Sequence, residues 1–147
     1  DKDLGQSVRG TRVVQLNRRT RELRDEAGVI AKFGVPPASI PDYLALVGDS
    51  SDGYPGLRGW GPKSAAAVLA RFGHLEAIPA DWHDWHANVA NPASLARTLA
   101  ENRELALLFR TLATLRTDIV LFDDVEQLKW NGPTPAFPGL AKELEGG

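Results

Sequence analysis

Residues 47–73 read VGDSSDGYPGLRGWGPKSAAAVLARFG, and Gly48, Gly53, Pro55, Gly56, Gly59 and Gly61 crowd into the first half of that stretch. Neither a regular helix nor a strand survives such punctuation, so the chain must turn here. It does so between helices. Upstream, ASIPDYLALVG places Ile40, Tyr43, Leu44 and Val47 on one helical face, with Ser39 as the candidate cap. Downstream, Pro62 stands where a first helical residue tolerates proline, and Gly73 marks the end of an alanine-rich helix.

The remaining elements are fitted around this helix, turn and helix. RVVQL at 12–16 reads as a strand, followed by the charged NRRTRELRDE as a solvated turn. A helix is expected from Asp25 or Glu26 to Phe33, ending at Gly34, before the break at Pro36-Pro37. HLEAIPADWHDWHANVANP is poorly periodic and holds one short helical turn among loops. Leu95, Leu99, Leu105, Leu108, Leu112 and Leu115 give apolar faces to one broken or two consecutive helices, and these leucines read as core. The tail NGPTPAFPGLAKELEGG is rich in proline and glycine before a last turn.

With 147 residues, 43% of them hydrophobic and 24% charged, the chain suits one domain or a large piece of one. The absence of cysteine excludes disulfides and thiolate metal sites, so any metal is held by oxygen or imidazole, which favours magnesium or manganese over structural zinc. No apolar run is long enough to span a membrane and DKDLGQSVRG has no signal-peptide pattern, so a cytoplasmic protein is the default expectation. The net charge of −2 is unevenly spread: residues 1–75 carry 11 Lys and Arg against 8 Asp and Glu, whereas residues 76–147 carry 6 against 11. A polyanion is drawn to the first half once its acids bind cations.

Asp49 and Asp52 stand three apart, which puts their side chains on one side of a helical or turn-like backbone and suits oxygens sharing a hard cation. Asp1 and Asp3 share a face if DKD leaves a strand. The competing reading is that Asp49 turns the chain and Asp52 is solvated, since Asp-Ser-Ser-Asp-Gly is ordinary loop vocabulary. In GLRGWGPKSAAAV, the glycines at 56, 59 and 61 relieve limits on φ, so that backbone N–H groups form an anion nest. The helix start at Pro62 and the Lys63 charge add to it, and Arg58 is a further phosphate contact. The other reading is a tight connection between helices. A nucleotide P-loop does not fit, because Pro62 separates Gly61 from Lys63. Trp60 at the turn either lies against a sugar or base or packs beneath the turn. His83 and His86 have one-turn spacing but read more simply as surface or filler than as a metal site.

Taken together, DKDL, PDYLALVGDSSDGYPGLRGWGPKSAAAVLARFG and NRELALLFRTLATLRTD resemble the bacterial 5′-3′ exonuclease and flap endonuclease family, which includes the N-terminal nuclease domain of DNA polymerase I. The resemblance implies a mainly α fold, the helix-three-turn-helix (helix-hairpin-helix-like) C-terminal part of an α/β 5′-nuclease, with a short strand near the N-terminus. Residues 1–24 would end the nuclease α/β core and carry part of the metal site, and residues 25–147 would form the helical DNA-binding domain. It further implies a two-metal site for Mg2+ or Mn2+ using Asp1, Asp3, Asp49 and Asp52. Double-stranded or 5′-flap DNA would be gripped through its phosphates by Arg58, Gly59, Trp60, Gly61, Lys63 and Ser64, with a possible K+ at the hairpin. Gly53 and Trp60 depart from the family's usual residues. The family's long N-terminal region, with further carboxylates and a helical arch, has no counterpart in these residues. The alternative from another class is a non-catalytic, sequence-independent DNA-binding module.

Overall fold

The computed structural model describes residues 1–145. Two short strands and six α-helices follow in chain order: β1 (Gln15–Leu16), β2 (Leu23–Arg24), α1 (Glu26–Phe33), α2 (Ile40–Val47), α3 (Pro62–Phe72), α4 (Pro92–Glu101), α5 (Arg103–Ala113) and α6 (Phe137–Glu145). The mainly helical expectation is met. The strand read over 12–16 shortens to two residues, because only Gln15 and Leu16 pair with Arg24 and Leu23, while Val13 forms an isolated bridge with Arg9.

Helix α1 begins and ends where its residues dictate: the Asp25 side chain accepts the Gly28 N–H, and Gly34 turns left-handed at φ 74°. Ser39 does not cap α2 with its side chain and is itself buried. Nor is α2 amphipathic. Every residue from Ile40 to Leu46 is buried, because the helix packs on α5 along one side and on α3 and the Asp3–Ser7 3₁₀ turn along others. Each Ile or Leu so enclosed contributes about 1.5–3 kcal/mol of burial.

The leucine series divides into two helices at Asn102, with Leu115 half-buried past the end of the second, and it corrects the core reading for three members on the helices. Leu95 and Leu99 are buried, but Leu105, Leu108 and Leu112 are 40%, 53% and 61% exposed. Helix α5 instead turns Ala106, Phe109 and Ala113 inward, with α2 its main neighbour and the Phe109 ring stacked on Tyr54. Its far end is tied to the N-terminal turn by Gln6, whose amide donates to Ala113 O at 2.9 Å and accepts from Leu115 N–H at 3.0 Å.

Asp42 is the charged residue at the heart of this packing. It is 1% exposed and accepts from His74 Nδ1 (2.9 Å), the Leu75 N–H (3.1 Å) and Arg110 Nη1 (3.2 Å). Arg110 also reaches Glu76 Oε2 at 2.6 Å, and that hydrogen bond holds the Glu76 carboxyl down at about 2. A depressed carboxylate stabilises the fold above its unfolded value, and that stabilisation is lost as pH falls from about 4.5 toward about 2. Urea unfolding over this pH range should therefore show an acid-labile component that Glu76→Gln removes.

The chain forms two compact units, Asp1–Leu115 and the segment from Arg116 onward. The second holds a Val125–Leu128 3₁₀ turn and α6, which has no buried residue, with Arg116 and Asp118 paired at 2.8 Å.

Candidate functional site

The loop after α2 is drawn shut by a backbone crossing. Gly48 (φ 85°) and Gly56 (φ 73°) touch so closely that a Cβ on Gly48 would lie 2.4 Å from Pro55 C, and one on Gly56 would lie 2.4 Å from Gly48 N. Only glycine satisfies both the left-handed φ and the contact. Asp49 and Tyr54 bridge across the neck, and the Leu57 N–H returns to Leu46 O at 2.9 Å. Asp49 and the following turn toward α3 are thereby held in fixed relation.

Two residues of that turn behave differently from expectation. Gly61 has φ −146°, ordinary extended backbone with open space where a Cβ would stand, so it is not a position that demands glycine. Gly59, at φ 85°, is. Trp60 does not offer its indole to a ligand: it is 7% exposed, lies 5.8 Å from the Trp85 ring, and donates Nε1–H to Leu95 O at 3.3 Å. The indole had more to gain from burial against Trp85 and Leu95 than from solvent, so it anchors the turn to α4.

Arg58 and Lys63 are exposed beside this anchor. Ser64 Oγ accepts the Gly61 N–H at 3.0 Å and donates to Gly61 O at 3.1 Å, so its hydroxyl shapes the turn. The main-chain N–H groups of Lys63 and Ser64 have no backbone acceptor among the described residues and open the helix with its positive dipole end. Lys63 and Ser64 line a concavity together with Gly59, Gly61, Asn88 and Asn91, continuing to Ser94 and Leu95. Helix α4 also starts at its edge, so two helix N-termini and the Lys63 ammonium favour an anion there. The sequence reading missed Asn88, Asn91 and Ser94. Asn91-Pro92, a helix-start signal, was the available clue.

The four aspartates divide. Asp49 is 1% exposed, with Oδ1 accepting from Lys2 Nζ at 3.0 Å and from the Ser51 N–H at 3.1 Å. Burial works to raise its carboxyl, but these partners outweigh burial and hold it below its ordinary value. Asp52 is exposed. Asp3 is half-buried, and its Oδ1 is enclosed without a hydrogen-bond partner. Burial, then the charges of Asp49, Asp52 and Asp3, push the Tyr54 hydroxyl up to about 12, so these three carboxylates act on one locality.

Asp1 stands elsewhere, in a concavity with Arg18, Arg19 and Arg24. The DKD segment runs into a 3₁₀ turn, Asp3–Ser7, not out of a strand, so alternate residues do not share a face. An all-oxygen set with an orphaned carboxylate atom has the chemistry of a hard-cation site. Its number falls short: among the described residues, no three acids or histidines are grouped to hold an ion. His83 and His86 likewise form no such group. His83 pairs with Asp81 at 2.6 Å, and its ring stacks on Trp82.

Comparison with known proteins supplies the family. The family model described as 5′-3′ exonuclease, C-terminal SAM fold, matches residues 35–136. The chain belongs to the 5′-3′ exonuclease family. A 5′-3′ exonuclease of Aquifex aeolicus is 38% identical over 90% of this chain and 43% of its own length. DNA polymerase I of Pseudomonas aeruginosa is 38% identical over 99% of the chain and 16% of its own length. A flap endonuclease Xni of Edwardsiella ictaluri is 41% identical over 69% of the chain and 38% of its own length. The chain thus spans less than half of each of these exonuclease-family relatives. No helix among the described residues is long and apolar enough to cross a membrane.

Proposed function

We propose that this chain is the duplex-gripping part of a structure-dependent 5′-3′ exonuclease or 5′-flap endonuclease that hydrolyses DNA phosphodiesters with two divalent metals. The observation that carries the reading is the Gly59–Ser64 turn, where Lys63, a helix start and main-chain N–H groups without a backbone acceptor among the described residues come together at one concavity. Arg58, Lys63 and the main chain hold a backbone phosphate without touching a base edge, so binding is independent of sequence. Trp60 and Ser64 keep the turn in shape. By the same reading, main-chain oxygens of the turn hold a potassium ion.

Asp3, Asp49 and Asp52 would hold Mg2+ or Mn2+, with the remaining donors coming from sequence beyond these residues. The chemistry such ions supply when bound is activation of the attacking water and stabilisation of the leaving oxygen. Lys2 stands on Asp49 where a cation would stand, and keeps the buried carboxylate compensated.

The second reading, a sequence-independent DNA-binding module without catalysis, draws support from the incomplete grouping of acids. The discriminating experiment is metal-dependent cleavage of a 5′-flap substrate by this chain and by a protein of the relatives' full length. Binding by both with cleavage only by the longer protein is expected. Binding without cleavage by either would favour the module. Lys63→Ala should weaken binding to unrelated duplex sequences equally and reduce the salt slope by about one. A strong preference for one sequence would sink the backbone-directed reading.

A further inference from the structure

The β1–β2 hairpin carries a second basic concavity that shares no residue with the one at the start of α3. Arg18, Arg19, Arg24, Lys32 and Lys2 line it, with Asp1 as the acid among them. Residues 1–32 hold eight Lys and Arg against five Asp and Glu, so the excess is local to this end of the chain. Lys2 is taken by Asp49, and Arg24 lies 3.9 Å from Glu22. Arg18, Arg19, Arg21 and Lys32 have no ion-pair partner among the described residues. Burial, then the Arg24 charge, lower the Lys32 ammonium, with Glu22 acting against them.

The turn that presents the arginines is fixed. Asn17 Oδ1 accepts the N–H groups of Arg19 and Thr20 at 3.1 and 3.3 Å, and the Asn17 main chain pairs with Arg21 and Glu22. Arg21 closes it in the left-handed region at φ 62°, where glycine fits without cost. An arginine held there keeps a charge at the expense of an easier turn. Several guanidinium groups along one exposed turn suit the repeating oxygens of a phosphodiester chain, which arginine binds in bidentate fashion.

We propose that this hairpin is a second nucleic-acid backbone contact, in which Arg18, Arg19 and Arg21 bind successive DNA phosphates while the α3 turn holds others. The proposal rests on the DNA-binding reading above. It is tested by fluorescence anisotropy of the whole chain on a mixed-sequence duplex across a salt series, comparing wild type, Lys63→Ala, Arg18→Ala/Arg19→Ala, the combination of all three, and Arg21→Gly. The Arg18/Arg19 variant should lower the salt slope by about two and weaken binding roughly tenfold near physiological salt, multiplying with the loss from Lys63→Ala. Arg21→Gly should melt higher than wild type yet bind more weakly. A purely structural hairpin would give tighter or equal binding with the higher melting point.

If Lys63→Ala weakens binding while both hairpin variants keep wild-type affinity and slope, the hairpin proposal is overturned and the α3 site stands. If the wild-type chain binds no duplex, both fall. The substituted arginines are exposed and make no side-chain hydrogen bond among the described residues, so a circular-dichroism melt suffices to show that the variants remain folded.

Discussion

Gly56→Ala is expected to destabilise the chain by about 4 kcal/mol or more, enough to leave a marginal domain largely unfolded. Two penalties meet at this residue. Its φ of 73° costs a side chain about 1–2 kcal/mol, and its new Cβ would press on backbone atoms of Gly48, Val47 and Leu46 at 2.4–2.6 Å. Backbone has no rotamer to yield, so α2 and the loop neck must separate, and with them the pairing of Leu57 with Leu46. Two other glycines resolve the sum. Gly53 has φ 82° with nothing within 4 Å, so Gly53→Ala should show the dihedral cost alone; Gly61 has neither problem and should tolerate alanine almost silently. Urea unfolding of the three variants checks the order. Equal losses for Gly53→Ala and Gly56→Ala would mean that the crossing relaxes freely.

The sequence revealed that glycines close this loop but did not rank them, because left-handed φ and close approach are decided by what the chain meets after it turns. Gly61 lies in the same run as Gly59 and has an unrelated geometry. The caps of α1, the proline start of α3 and its glycine end were legible, since each rests on a neighbouring residue. The orientation of α5 was not. Leucine spacing predicted a buried stripe, but the face that meets α2 and Tyr54, both distant in sequence, is the one carrying Ala106, Phe109 and Ala113. Asp42 was invisible for the same reason. Its partners His74 and Arg110 come from distant parts of the chain, and nothing local marks a carboxylate for burial.

Among the acids, Asp49 is buried and Asp52 exposed, a difference that their spacing of three did not reveal, and two-residue periodicity did not foresee that Asp1 would line the arginine concavity while Asp3 opens a 3₁₀ turn. Trp60 shows the limit from the other side. An aromatic residue among glycines suits either a ligand or the core, and only Trp85 and Leu95, from later segments, decide for the core.

In a protein of the relatives' full length, Asp52→Asn is expected to reduce 5′-flap cleavage by at least about a hundredfold while leaving duplex affinity unchanged or slightly tighter. The carboxylate is exposed, and it makes no hydrogen bond or ion pair among the described residues through its side chain, so the exchange removes charge without disturbing the fold. Loss of an outer hydrogen-bonding partner in a metal site costs about 10–100-fold, and loss of a direct ligand should cost at least as much. On the proposed reading, duplex affinity depends on the turn at Lys63 and on the hairpin arginines, and removing a negative charge near phosphate relieves repulsion. Asp49→Asn is the poorer test. Asp49 is buried against Lys2 and the Ser51 N–H, so its loss disturbs the loop neck and lowers stability together with chemistry. Cleavage and anisotropy measured on the same Asp52→Asn preparation decide the matter. Retained cleavage with weakened binding would assign Asp52 to the shape of the phosphate-binding loop and remove it from the metal site.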